Sequence, residues 1–356
     1  MICLAVTASA FTLGCGDDGA AAKGTSETPR DPASSCGLKT GYPGDELCLE
    51  PPAPGTGLQL HFGPTRYDDP AELAAYVIQP GEESLDCLYV NTPNDEDVFY
   101  AEFHIRRRPG SHHLIVSELV QDMPDGRRSC GFGEDTVGLV GGTTVSRDWP
   151  DPNLPVPENE GLASRLHAHA QVAMQVHFFN TGNTPLLKET WMNLIYKDPA
   201  TVTTEQTTLG HYAGMAMNVA PGTTALIHGS ATASQDMRIV DLYSHYHMHT
   251  QRLSAWKVTP TERTLVYQSH DWAEPGVLPY DSVHQNSPPD PATRTTGGYS
   301  GLLELHAGDK LEFECEIQNN ETFPLHWANE ATTAEMCILR GNYAPSTGRA
   351  WSSFTL

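Results

Sequence analysis

Short apolar runs, each closed by a turn rich in Gly, Pro or Asn, constrain the fold of this chain more than any other feature of its sequence. Leu311-Glu-Phe-Glu-Cys-Glu-Ile317 alternates apolar and polar residues, which is typical of a strand with one buried face. Similar runs at Leu85–Val90 and Val98–Ile105 are separated by turns such as Asn91-Thr-Pro-Asn94. No helical pattern extends beyond a few turns. The pattern predicts an all-β fold built from antiparallel sandwiches.

The chain of 356 residues is longer than one ordinary domain. We predict two antiparallel, jelly-roll-like β-sandwich domains in tandem, covering residues 36–199 and 200–356, with the boundary at Lys197-Asp-Pro-Ala200. Residues 16–35 are polar and lack large apolar side chains, so we expect a disordered tether there.

The first 15 residues resemble a bacterial lipoprotein signal, because an apolar segment ends at Leu13-Gly14-Cys15. The segment is too short to span a bilayer as a helix. It departs from the usual signal in two ways, since no basic residue precedes the apolar run and Thr12 stands where Leu is usual. An ordinary export signal is the alternative. We expect an exported protein, periplasmic or at the outer membrane or cell surface, that touches a membrane only through a lipid on Cys15.

An oxidising location would allow disulfides among the six cysteines outside this signal. Six cysteines permit fifteen connectivities, and sequence alone does not choose among them. Their separations suggest Cys36–Cys48, Cys87–Cys130 and Cys315–Cys337. The absence of a Cys-x-x-Cys motif disfavours a thiolate zinc site or a haem site.

The charge of the chain excludes one class of partner. With 21 Lys and Arg against 44 Asp and Glu, the formal charge is −23, which repels nucleic-acid phosphates. Histidine is the unusual component, because 16 histidines occur and several lie at tight spacing. Closely spaced histidines are candidate metal ligands.

The segment Asp241–Thr250 contains three alternate histidines, His245, His247 and His249. On a strand these would share one face at steps of about 6.6–6.8 Å, so two neighbours could bind one ion. A thioether is a good ligand for copper(I) and a poor one for zinc. If Met336 is the partner of such a pair, the metal is copper.

A second group of histidines lies earlier in the chain. His112 and His113 are neighbours that would face opposite ways on a regular strand, but Gly110 permits a local twist that brings them together. His177 would supply a third nitrogen. His167 and His169 lie eight or more residues before it, roughly 27 Å or more along a strand, and we interpret both as core or surface residues.

Four motifs in order resemble the signature of the ascorbate-dependent type II copper monooxygenases, the family of peptidylglycine α-hydroxylating monooxygenase and dopamine β-monooxygenase. The resemblance covers roughly Cys36 to Pro345. The motifs are His112-His113, Gln175-Val-His177, His247-Met-His249 and Glu335-Met336-Cys337.

The resemblance implies a role for each motif residue. In the first domain, an electron-supplying copper would bind to His112, His113 and His177. In the second, a copper where dioxygen binds and a substrate C–H bond is hydroxylated would bind to His247, His249 and Met336. The family also implies two coppers per chain, ascorbate or a similar reductant, and a small-molecule substrate.

Two departures from the family limit the prediction. Peptide-amidating enzymes grip the substrate carboxylate with an Asn and a Tyr where this chain has Ile338 and Arg340, which disfavours peptide amidation. In addition, aligning this chain with the family without gaps through Ser254–Val258 would select His245 and His247 as the ligand pair. We prefer His247 and His249, and leave His245 as a neighbour or a third nitrogen.

Other functions remain open at this stage. An exported copper-binding lipoprotein would keep the ligands but carry out no turnover. A carbohydrate-binding sandwich with incidental histidines would bind no copper. A zinc hydrolase would need a carboxylate as general base, and no carboxylate stands in an obvious position for that role.

Overall fold

The computed structural model describes residues 36–130, 136–143, 146–149, 161–273, 275–290 and 292–356. The predicted signal, the tether and Cys15 therefore lie outside the described residues. Within them, the secondary structure is strand and turn with one short α-helix, α1 (Pro70–Ala75), and two 3-10 turns, Asp45–Leu47 and Pro199–Thr201. The prediction of an all-β fold is confirmed.

The strands that precede the turn at Pro199–Thr201 form the first half of the molecule. They are β1 (Gly57–Phe62), β2 (Val77–Ile78), β3 (Glu83–Asn91), β4 (Val98–Arg107), β5 (Ser111–Leu119), β6 (Gly126–Ser129), β7 (Thr136–Thr143), β8 (Arg147–Trp149), β9 (Leu162–Leu166), β10 (Gln171–Phe179), β11 (Leu186–Leu187) and β12 (Thr190–Lys197).

The strands that follow this turn form the second half. They are β13 (Thr204–Ala213), β14 (Asn218–Val219), β15 (Thr224–Thr232), β16 (Met237–Tyr246), β17 (Thr250–Val258), β18 (Arg263–Ser269), β19 (Leu278–Pro279), β20 (Gly297–Gly298), β21 (Leu303–Leu305), β22 (Lys310–Gln318), β23 (Leu325–His326), β24 (Cys337–Ala344) and β25 (Trp351–Thr355).

Each half is a β-sandwich. In the first, the sheet β6-β3-β10-β5-β7 packs on the β1-β12-β4-β9 part of a larger sheet, and apolar residues of both layers form one core. In the second, the sheet β15-β22-β17-β18-β20 packs in the same way on the β13-β24-β16-β19 part. Strand β22 follows the predicted alternation, since Leu311, Phe313, Cys315 and Ile317 are all buried.

The two sandwiches share their larger sheet. Strands β9 and β13 pair in parallel, with Thr204 opposite Leu162, and this pairing joins both parts into one 11-stranded sheet. The predicted boundary coincides with the 3-10 turn at Pro199–Thr201. Because the sheet continues past that point, the division into two tandem domains stays a prediction.

All three suggested disulfides are present, at Cys36–Cys48, Cys87–Cys130 and Cys315–Cys337. Their pairing is confirmed, and it is consistent with an oxidising, extracellular location. Among the described residues, no helix has the length and apolar character needed to cross a bilayer.

Candidate metal centre

The His245–His249 segment does not form the continuous strand that the sequence predicts. Strand β16 ends at Tyr246, and the chain turns at His247 so that the Thr250 N–H donates to the His247 carbonyl at 3.2 Å. Met248 is exposed at this turn. The prediction that all three histidines share one strand face is wrong, because the hairpin reverses direction inside the motif.

The first-half histidines lie together around a β-bulge. His177 on β10 pairs with His113 on β5, but its neighbour Phe178 pairs with Ser111, so His112 is an extra residue without a cross-strand partner. A bulge turns the side chain of such a residue away from the regular alternation. Gly110 precedes it with φ +84°, a conformation that favours glycine.

As a result, one ring nitrogen from each of His112, His113 and His177 lies within 4.8 Å of the others. The structure therefore brings together the three histidines that the sequence grouped, although they come from separate strands.

Hydrogen bonds assign the protons on two of these rings. The His177 Nε2 lies 2.7 Å from the Glu83 carboxylate, which only accepts hydrogen bonds, so Nε2 carries the proton. The His113 Nε2 is held in the same way by the Gln175 side-chain oxygen at 3.2 Å. The Nδ1 atoms of both rings are buried without a partner. Their lone pairs are free for a metal, and such outer hydrogen bonds commonly orient metal-binding imidazoles.

The second-half set is formed by the antiparallel pair β16 and β24. Tyr246 pairs with Cys337 and His245 with Ile338, so His247 directly follows the paired part of β16 and Met336 directly precedes that of β24. Met336 is buried where the two strands end, and its backbone N–H shares the Glu335 carboxylate with that of His247.

The rings of His245 and His247 are neighbours, with centroids 5.5 Å apart. The His247 Nδ1 donates to the Ala334 carbonyl at 3.2 Å, and its Nε2 is buried without a partner. His247 thus presents Nε2 as a free ligand atom.

His249 is held elsewhere. Its Nε2 lies 3.0 Å from the Thr332 carbonyl, and in the described part of the chain it takes part in none of the ring contacts that join the other histidines. The geometry therefore favours the alternative pair, His245 and His247, over the preferred pair, His247 and His249.

The Glu335 carboxylate fixes the turn to the start of β24. It is fully buried and accepts hydrogen bonds from the backbone N–H groups of His247, of His249 at 3.1 Å and of Met336 at 2.8 Å. Burial raises its pKa to about 7. The sequence motif contained Glu335, but only the hairpin geometry shows what its side chain holds.

The two histidine sets form one cluster. The His113 and His245 ring centroids are 5.2 Å apart, as close as the 5.1 Å between His113 and His177 within one half. The His112 ring lies 6.0 Å from both His245 and His247. Trp272 from the second half packs against His112 at 5.3 Å. The sequence predicted the two sets in separate domains, but these side chains are in contact.

Burial keeps four imidazoles of the cluster neutral, those of His112, His113, His245 and His247. It lowers the pKa values of His112, His113 and His245 well below the ordinary value, and mutual repulsion among the rings lowers them further. Burial likewise lowers the pKa of His247 to about 4. At neutral pH these rings therefore offer lone pairs.

A cavity of about 90 Å³ adjoins the cluster between the two halves. Its walls include His113, His245, Asp241, Tyr243, Arg340 and Asn342. Asn342 donates to Asp241 at 2.7 Å, and Arg340 donates to the Tyr212 hydroxyl at 3.1 Å. The cavity gives a small molecule a place beside the rings, with polar groups of both signs to orient it. Sequence reasoning noted Arg340 only as a departure from the family.

His167 and His169 lie outside the cluster. The His167 Nδ1 lies 2.6 Å from the Glu118 carboxylate, and the His169 side chain is exposed. This agrees with their interpretation as core or surface residues.

Comparison with known proteins gives this chain no family. No family model matches it, and no curated protein matches it. Among solved structures, the major capsid protein P2 of bacteriophage PM2 has a TM-score of 0.26 at 8% identity, over 82% of this chain and 100% of that one. A vicilin from Solanum melongena has a TM-score of 0.12 at 8% identity, over 82% of this chain and 80% of that one. Likenesses this low carry no argument about function.

Proposed function

We propose that this protein is a copper- and dioxygen-dependent monooxygenase that hydroxylates a C–H bond of a small substrate. In such a reaction one oxygen atom enters the C–H bond and the other leaves as water. A one-electron reductant such as ascorbate supplies two electrons in sequence, and two protons are taken up. Bound copper would supply the one-electron chemistry that dioxygen requires.

The single observation that carries the proposal is the composition and protonation of the cluster. The unprotonated nitrogens of His113, His177 and His247 are buried without partners, which is costly unless a metal occupies the space between them. Met336 and His247 share the Glu335 carboxylate through their backbone N–H groups, and Met336 would add a soft thioether. A set of imidazoles with one thioether suits copper better than zinc, calcium or magnesium.

The two sets would divide the work. His112, His113 and His177 would hold the copper that passes on electrons, since three imidazoles suit both oxidation states of the metal. His245 and His247 are the histidine pair that the geometry favours. Together with Met336 they would hold the copper at which dioxygen reacts. The cavity beside His245 would receive the substrate, and burial would keep bulk water away from the reacting atoms.

The test is copper content and ascorbate-driven oxygen uptake with a panel of small substrates, for the wild type and Met336→Ile. Met248→Ile is the matched control, because Met248 lies next to His247 but is exposed. We expect two coppers per wild-type chain, substrate-coupled oxygen uptake, loss of that uptake in Met336→Ile and normal uptake in Met248→Ile.

Two results would overturn the proposal: less than one copper per wild-type chain, or unchanged turnover in Met336→Ile. Copper binding without substrate-coupled oxygen uptake would instead identify a copper-binding lipoprotein that carries out no turnover.

We also propose that the protein is exported and carries an N-terminal lipid on Cys15. The three disulfides support an oxidising location, and the Leu13-Gly14-Cys15 sequence supports lipid attachment. Membrane fractionation of the wild type and Cys15→Ser tests this. The variant is expected in the soluble fraction, and a wild type that is itself soluble would contradict the lipid.

A further inference from the structure

We propose that Trp272, an indole supplied by the second half, is a positioning residue that holds the His112 ring of the three-histidine set in the first half. The two ring centroids are 5.3 Å apart, and the ring planes are tilted by 42°. This distance lies in the range at which aromatic rings attract each other. The contact therefore crosses between the halves at a candidate metal ligand.

His112 is the member of its set that most needs such support. The Gln175 side chain orients the His113 ring by a hydrogen bond. The Glu83 carboxylate orients the His177 ring in the same way. Among the described residues, the His112 ring takes part in no hydrogen bond, and its Nε2 is buried without a partner. It is also half-buried, whereas the other two rings are buried. Packing must therefore set the orientation of this ring.

The rings packed against His112 are of two kinds. Four are histidine rings of the cluster, which are candidate ligands themselves. The fifth is the indole of Trp272. An indole has one N–H donor and no lone pair to offer a metal. Trp272 can therefore hold the His112 ring without competing with it for an ion.

The indole is anchored in the second half. Trp272 packs against the apolar core of that sandwich, although its neighbours Asp271 and Ala273 are exposed. The Ala273 N–H donates to the Asp271 side chain at 2.9 Å, which closes a turn around Trp272. Just before this turn, the Ser269 and Tyr246 hydroxyls are hydrogen-bonded at 3.0 Å. Tyr246 ends β16, so the segment that carries the indole is joined to the hairpin of the second histidine set.

Metal binding should strengthen the contact. An imidazole that binds a copper ion loses electron density to that ion. The face of an indole is electron-rich and attracts an electron-poor ring. Trp272 should therefore stabilise the position in which His112 binds a metal.

The expected effect on copper rests on the proposed function. The ring contact does not, because it involves only side chains of the protein. In metal-free protein, the ring current of an indole at this distance displaces the proton resonances of the neighbouring His112 ring. Those resonances test the contact by itself, whereas a failure of the copper assignment would appear as a wild type that binds no copper.

The experiment compares wild type, Trp272→Leu and Trp272→Phe. Histidine ring resonances of metal-free protein are recorded by nuclear magnetic resonance and assigned with His112→Gln. Copper affinity is measured by chelator competition, and the copper(II) environment by electron paramagnetic resonance. In Trp272→Leu we expect shifted His112 resonances, about tenfold weaker binding of one copper and a changed spectrum of that copper. Trp272→Phe keeps an aromatic ring, so it should retain most of the affinity and the wild-type spectrum.

Trp256→Leu is the matched control, because Trp256 is also a half-buried indole of the second half. It packs under the Arg263 guanidinium at 3.7 Å, and in the described part of the chain it makes no ring contact with a histidine. It should leave the resonances, the copper affinity and the spectrum unchanged.

Two results would overturn the proposal. Unchanged His112 resonances in metal-free Trp272→Leu would show that the two rings do not meet. A Trp272→Leu protein that is less stable but keeps the wild-type copper affinity and spectrum would show a purely structural role. Should Trp272→Leu fail to fold, the weaker ring current of Phe must still move the His112 resonances in Trp272→Phe, and resonances that stay in place there would overturn the proposal as well.

Discussion

The three-histidine set of the first half is fixed by side chains in the interior of a sheet, whereas His245, His247 and Met336 lie at the end of a hairpin and are fixed by backbone. Glu83 and Gln175 hold His177 and His113. By contrast, the Ala334 carbonyl holds His247. The first set depends on a bulge in β5, and the second depends on the register of β16 with β24.

This difference indicates how each set responds to change. Side-chain hydrogen bonds set the proton positions of the first set, so single substitutions of the partners should alter its copper without moving the backbone. The second set needs the turn, the strand register and the disulfide next to Met336 to be intact. It should therefore be more sensitive to changes that loosen the backbone.

The largest expected effect distinguishes the two possible ligand pairs of the hairpin. His245→Gln should lower turnover by more than about a hundredfold and remove one copper, because a bound metal contributes several kcal/mol to catalysis. His249→Gln should keep both coppers and most activity, since an amide can still donate to the Thr332 carbonyl. Copper content and oxygen uptake are to be measured for both variants. The reverse ranking would restore His247 and His249 as the pair.

The next effect tests whether backbone support matters more to the second set. Loss of Cys315–Cys337 and loss of Cys36–Cys48 should each lower the free energy of unfolding by about 3 kcal/mol on the chain-entropy model. Only the first bond adjoins Met336, so only Cys315→Ala/Cys337→Ala should also weaken copper binding at the hairpin. Urea denaturation and chelator competition measure the two quantities. Equal copper affinity in both double variants would contradict the comparison.

His211 lies outside the cluster and should also make the free energy of unfolding depend on pH. It is buried in the second half, and its ring is hydrogen-bonded to the Ser353 hydroxyl. Burial lowers its pKa to about 3. Between that value and the unfolded value near 6.5, the unfolded chain binds more protons, so stability falls as the pH falls. His211→Gln should reduce this loss by about 2 kcal/mol between pH 6.5 and 5.

Urea denaturation of metal-free wild type and His211→Gln at these pH values measures how much the free energy of unfolding of each protein changes with pH. The copper content of the variant at pH 7 should stay that of the wild type, because His211 faces Trp351 and not the cluster. Parallel stability profiles for the two proteins would rule out a contribution from His211.

The smallest expected effect concerns the bulge. Gly110→Ala and Gly55→Ala both place a side chain at positive φ, which costs about 1–2 kcal/mol. Only Gly110 precedes His112, so only its substitution should weaken copper binding at the three-histidine set, by about tenfold. Gly55 has open space around it and serves as the control. Equal copper affinity in both variants would show that the bulge does not need Gly110.

Much of the fold could be predicted from the sequence because local pattern determines it. Alternation in Leu311–Ile317 predicts a strand with one buried face, and the structure confirms it. The cysteine separations predict the three disulfides, since partners in a hairpin-rich chain lie close in sequence. The grouping of His112, His113 and His177 followed from the family resemblance, and only the twist at Gly110 is a local feature.

The hairpin motif shows where such reasoning stops. Alternation of His245, His247 and His249 is compatible with a strand and equally with a turn, and only the pairing of β16 with β24 and β17 with β22 decides where the strand ends. The sequence therefore limited the candidate ligands of this set to three histidines and one methionine but did not choose among the histidines. Strand register depends on contacts between residues about 90 positions apart, which local pattern does not contain.

The sequence by itself determined the all-β fold and suggested the disulfide pairs and a histidine cluster, because these follow from periodicity, spacing and residue type. Only the tertiary structure decided that both histidine sets meet in one cluster and that His245 joins it. Those contacts join strands from two halves of the chain. They arise from the way the sandwiches share one sheet, and packing over such distances is set by the whole core.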